Sequence, residues 1–165
     1  LESLQNERSY TMPFDQTKDV LKQARKFHHK LSEFYEDLKD STEKERTRAL
    51  LDYLSRHEQY LEDCLEEFQQ DVSRNVLDSY FQYGSDASNL SGISAFIIKD
   101  EMSVEDVVAA AMHFDACLIK FYREIAQKAR TEKVREVFEN LLVMEEHEQI
   151  ELSKTTLELG LVHAG

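Results

Sequence analysis

Residues 24–35 read Ala-Arg-Lys-Phe-His-His-Lys-Leu-Ser-Glu-Phe-Tyr, and residues 111–122 read Ala-Met-His-Phe-Asp-Ala-Cys-Leu-Ile-Lys-Phe-Tyr. Ala, Phe, Leu and the Phe-Tyr pair recur at matching places, three or four residues apart, which is the spacing of one face of a helix. The offset is 111 minus 24, or 87 residues, and it runs on without a gap. It maps Leu54 onto Leu141, Glu58 onto Glu145 and Leu65 onto Leu152. The chain therefore reads as two similar helical hairpins. Each repeat also carries a polar residue, His28 or Asp115, where the stripe calls for an apolar one.

Outward from these two stretches, four long helices are expected, at about 15–40, 42–82, 103–130 and 132–159. Ser41 and Thr42 offer a cap for the second, with Glu43 and Glu45 suited to its first turn. Ser103-Val-Glu-Asp106 is a capping pattern for the third. The links within each pair are short, so each pair is an antiparallel hairpin. A crossover at about 84–102 joins the hairpins, and its Ala95-Phe96-Ile97-Ile98 piece is expected to pack on the bundle while crossing. The fold class is all-α, in a single domain spanning 1–165, and that length is enough for a real core.

Composition narrows the function. The 165 residues are 41% hydrophobic and 32% charged, as in a folded helical protein. Four Gly and one Pro leave room for long helices. The net charge of −13 repels phosphate backbones and anionic lipid, so neither nucleic acid nor membrane is an expected partner. No apolar run reaches the roughly 20 residues that cross a bilayer. The first residues lack the basic-then-apolar order of a secretory signal. Cys64 and Cys117 are the only cysteines and form no Cys-x-x-Cys. That argues against a disulfide framework and a zinc knuckle, and it fits a reducing, cytoplasmic location.

One acidic or imidazole residue interrupts the apolar stripe of each helix: His28, Glu58, Asp115 and Glu145. Glu148 follows Glu145 on the same face. Paired as the repeat implies, the five converge near mid-bundle. Four ionised carboxylates in a dry core cost several kcal/mol each even after relaxation. Three escapes exist: protonation, a wet and open site, or cations among the acids. Oxygen ligands with one imidazole suit iron, manganese or zinc.

These segments resemble the ferritin-like superfamily, nearer its rubrerythrin-like branch than the cage-forming ferritins. The stretch around Asp115 looks like that family's third helix and the one around His28 like its first. Leu-Ser-Arg-His57-Glu58-Gln-Tyr-Leu61 and Leu-Val-Met-Glu145-Glu-His-Glu148 look like the second and fourth. The resemblance implies a four-helix bundle in which two helices each give a Glu and two each give a Glu-x-x-His to a di-iron or di-manganese pair. Here His28 and Asp115 stand for the two single Glu, Leu61 replaces one His and Glu148 replaces the other. One ion would use His28, Glu58 and a bridging Glu145. The other would use Asp115, Glu145, Glu148 and Glu58, so a site for one or two ions is implied. Tyr35 and Tyr122, two turns from His28 and Asp115, would hydrogen-bond the ligand carboxylates. His57 is a substitute ligand for the imidazole absent at Leu61.

The implied activity is peroxide- or oxygen-linked oxidoreduction, with catalytic residues unassigned. With no rubredoxin-like cysteine cluster, electrons would come from a separate redox partner protein. The alternative is a non-catalytic bundle with a decayed metal site, serving assembly or interaction. A homodimer is the expected assembly. Tyr80, Phe81, Tyr83 and Phe96 to Ile98 are candidate contact residues, with internal packing the stronger reading.

Overall fold

The computed structural model describes residues 14–82, 102–158 and 160, with backbone alone at 14, 15 and 80–82. Its elements are β1 (Phe14–Gln16), α1 (Thr17–Ser41), α2 (Glu45–Asp71), α3 (Arg74–Leu77), β2 (Tyr80–Gln82), α4 (Val104–Lys128) and α5 (Glu132–Glu158). The described residues are helical apart from one short ribbon, in which β1 pairs antiparallel with β2. Most of the expected crossover, with Tyr83 and the Phe96–Ile98 piece, lies outside the described residues, as do the side chains of Tyr80 and Phe81. Met102, at its end, is buried against the core.

Each long helix forms because apolar residues recur along one face. On α1 the buried line runs Val20, Ala24, Phe27, Leu31, Phe34, Tyr35 and Leu38. The Ser103 cap of α4 is present: its hydroxyl accepts from Asp106 N, and Asp106 accepts from Ser103 N. Two boundaries differ from the sequence expectation. The second helix stops at Asp71, not near 82. Val72 still packs against the core but is already extended, so the helix ends although its apolar residues continue. Ser73 then caps the single turn α3 by accepting from Val76 N. Asp71, Ser73 and Asn75 are residues that compete with a continuing helix and favour caps and turns. The second difference is at the first turn. Ser41 and Thr42 do not cap α2, whose N-cap is Lys44 without a side-chain bond. The Ser41 hydroxyl instead donates to Leu38 O and closes α1.

Side-chain contacts fix the directions of the helices. Lys39 meets Asp52, Ser32 meets Ser55 and His29 meets Glu62, so α1 and α2 run antiparallel. Arg123 meets Glu146 and Met112 meets Ser153, so α4 and α5 do the same. The hairpins join where Phe114 of α4 packs edge-on against Phe27 and Phe34 of α1. His57 of α2 also meets Glu148 of α5. One hydrophobic core draws on all four long helices, through residues such as Leu31, Leu54, Phe114 and Phe138. Among the described residues no helix is long and apolar enough to cross a membrane.

Candidate functional site: a buried imidazole between two glutamates

His28 sits on the core face of α1, one turn after Ala24, and has no exposed surface. Glu58 of α2 and Glu145 of α5 are buried beside it, at 3% and 0% exposure. His28 Nδ1 lies 2.6 Å from Glu58 Oε2 and Nε2 lies 3.1 Å from Glu145 Oε1. One imidazole thus ties three helices from both hairpins. Only the protonated ring can donate from both nitrogens at once.

The electrostatics favour that form. Burial by itself lowers the pKa of His28. The charge of Glu58 and the bonds to both glutamates outweigh it and push the value up to about 10. The ring is then a cation between two anions, in the geometry of strong charge-assisted hydrogen bonds. Asp115 of α4 is 9% exposed. Burial first, and then the charges of Glu58 and Glu145, hold its carboxyl well above the usual carboxylate range, while His28 pulls the other way. Asp115 therefore belongs to the same electrostatic cluster.

Glu148 stands at the edge of the cluster rather than inside it. Its side chain is partly exposed and pairs with His57 Nε2 at 3.2 Å. His57 stacks in turn on Tyr53, with rings 5.9 Å apart and nearly parallel. The imidazole expected as a substitute ligand thus reaches Glu148, while Leu61 is buried as an ordinary core residue. Tyr35 and Tyr122 are buried. Burial, with the charges of Glu58 and Asp115, raises the Tyr35 pKa well above the usual phenol value. Burial, with Glu145 and Glu58, does the same for Tyr122. The expected hydrogen bond from Tyr122 to a carboxylate is not made: its hydroxyl is buried and has no partner. The ring meets Phe121 and Phe138, and that aromatic packing sets its position. His29, His113 and His147 are exposed, as their places off the stripe require.

Sequence reasoning took His28 for a ligand and missed that a protonated imidazole itself supplies positive charge. The signal was its place opposite two stripe glutamates. It also missed the serine contact beside the centre. Ser32, four after His28, and Ser55, three before Glu58, are buried with their hydroxyls 3.3 Å apart. The Ser55 hydroxyl also reaches Ser32 O, which pins α1 to α2 one turn from the triad.

The donor chemistry suits a divalent cation. Carboxylate oxygens and one imidazole are hard to borderline ligands. Glu145 Oε2 is buried and accepts no hydrogen bond, an unmet acceptor within an acidic cluster. Among the described residues no group of three or more His, Cys, Asp or Glu side chains is arranged to hold a metal ion. Comparison with protein-family models, curated proteins and solved structures finds no match for the chain.

Proposed function

We propose that the chain is a ferritin-like, rubrerythrin-like four-helix bundle whose buried carboxylate–imidazole centre binds one or two divalent metal ions. Iron is the first candidate, with manganese or zinc next. The observation that carries this reading is Glu145 Oε2, an unpartnered carboxylate oxygen in a cluster whose acids outnumber its imidazolium. One His28 cation offsets one of the charges of Glu58 and Glu145, and Asp115 adds strain rather than relief. A second positive charge stabilises such a cluster.

His28, Glu58, Asp115, Glu145 and Glu148 are the residues that would hold the ion. A bound iron would supply redox chemistry toward peroxide or dioxygen, with electrons from a separate redox partner protein. The residues' own part is proton management. A metal-ligating imidazole must be neutral at the bonding nitrogen, so uptake at His28 releases a proton. Glu58 and Glu145 hold the ring in place, and the burial of all three side chains keeps water from them. Cys64 and Cys117 are free thiols, in keeping with a reducing, cytoplasmic setting.

A second reading rests on the same imidazole. Both ring nitrogens are already bonded to carboxylates. A proton then does structurally what a metal does in the first reading, and the bundle is a non-catalytic assembly module. Metal content separates the two. The protein is purified without added metal or chelator, alongside Glu58→Ala and Glu145→Ala. Near-stoichiometric iron, manganese or zinc, lost in both variants, supports the first reading. A metal-free wild type that takes up none of the three when supplied supports the second.

A further inference from the structure

Two buried polar atoms beside the imidazole have no hydrogen-bond partner among the described residues, and they stand at one level of the α4–α5 pair. Glu145 gives Oε1 to His28, while its Oε2 is buried and unmet. The Tyr122 hydroxyl is buried and unmet as well. Arg123 meets Glu146 at 3.2 Å, and Met112 meets Ser153, which sets the register of the two helices. Tyr122 and Glu145 precede Arg123 and Glu146 by one residue each. That step turns both side chains from the flank into the core, where each has 0% exposure. After burial, the charge of Glu145 is the strongest influence on the Tyr122 phenol.

The two atoms are complementary. A phenol donates one hydrogen, and an ionised carboxylate oxygen only accepts. Packing on Phe121 and Phe138 holds the Tyr122 ring, and its hydroxyl makes no direct bond to the acid. Leaving such a donor and such an acceptor buried without partners costs the full desolvation of each. A buried water makes about two to four hydrogen bonds, to polar groups that the chain itself leaves unmet. We infer that one water molecule is bound between Tyr122 Oη and Glu145 Oε2, accepting from the phenol and donating to the carboxylate. Through it Tyr122 holds the second oxygen of Glu145, as His28 holds the first. Nothing in this depends on metal uptake. An ion bound at Oε2 would displace the water, so the metal-free protein is the one to crystallise.

High-resolution diffraction from the full chain, stripped of metal with chelator, tests it. The wild type is expected to show one peak about 2.5–3.0 Å from both Tyr122 Oη and Glu145 Oε2, with no anomalous signal. Tyr122→Phe keeps the ring and removes the hydroxyl, and the peak should be lost. Thermal melts of the same variant in chelator give a second readout. Removing an unmet buried hydroxyl is neutral or stabilising, whereas removing a bridged one leaves the carboxylate short of a partner. The midpoint of Tyr122→Phe should therefore fall, by about 2–4 °C. No peak between the two atoms overturns the inference. So does a peak that carries anomalous signal, touches only one of the two atoms or persists in Tyr122→Phe. A variant that melts at or above the wild type overturns it too. Metal content, measured separately, decides the metal reading and leaves this result untouched.

Discussion

His28 Nδ1 and Glu58 Oε2 lie 2.6 Å apart across the α1–α2 seam, and neither side chain is more than marginally exposed. The contact is one half of a bridge, since Nε2 of the same ring reaches Glu145. It explains how an acidic residue on each of two helices is tolerated in an apolar core. A single buried cation touches both, and each partner is unfavourable without the others. Several expectations rest on that dependence.

Truncating His28 removes the one cation that, among the described residues, touches Glu58 and Glu145 inside the core. Two buried carboxylates are then left without their partner, a change that costs about 3–5 kcal/mol. His28→Ala is therefore expected to lower the stability of metal-free protein by about that amount in urea or guanidinium unfolding. The double variant Glu58→Gln with Glu145→Gln, made in that background, should recover much of the loss. A loss below about 1 kcal/mol would show that the bridge contributes little.

The pH dependence has a definite sign. His28 has a folded pKa of about 10, above its ordinary 6.5. Its stabilising effect is fully present below about 6.5 and is lost as pH rises toward about 10. Asp115 is also raised, so its burial is without penalty while it is protonated and opposes folding as it ionises. Both groups make the metal-free protein less stable as pH rises. Thermal melts in chelator from pH 6 to pH 10 should show a falling midpoint. A midpoint that rises across this window contradicts the assignment.

Asp115→Asn separates the charge of this residue from its size. At acidic pH the variant and the wild type should melt together, because the wild-type carboxyl is neutral there. As pH rises, the variant should become the more stable of the two, by a few degrees, at about 2–4 °C per kcal/mol for a chain of this size. Metal uptake should move in the opposite sense, because an amide carries no charge to offer a cation. A variant that matches wild type in both measurements would remove Asp115 from the centre.

Ser103→Ala tests the fold away from the site. The capping box joining Ser103 and Asp106 is the side-chain closure at the start of α4. Its loss is expected to cost about 1 kcal/mol, with metal content unchanged. A larger loss, or a change in metal content, would mean that this helix end is coupled to the interior.

Much of this was legible in the sequence. The offset of 87 residues announced two hairpins, and the stripes named the buried faces. His28, Glu58 and Glu145 meet because a polar residue on a core stripe has nowhere else to point. What was not legible has local causes. The second helix was read too long because Val76 and Leu77 continue its apolar rhythm across a cap at Ser73 that interrupts it. The ribbon from Phe14 to Gln16 escaped notice because its partner strand lies more than sixty residues away, and strands of three residues carry no period. Glu148 was placed with the ligands by spacing and by the resemblance, and neither showed its pairing with His57. Its side chain follows His57, which spacing put at the flank. The protonation of His28 was the hardest to see, since a sequence names an imidazole and leaves its charge to what surrounds it.

The most direct test is a crystal grown from metal-replete protein, with anomalous diffraction collected at the iron and manganese edges. The account predicts a peak beside Glu145, with the His28 ring released from at least one of its two carboxylate bonds. Diffraction showing His28 still seated between Glu58 and Glu145, and no anomalous peak near them, would contradict it.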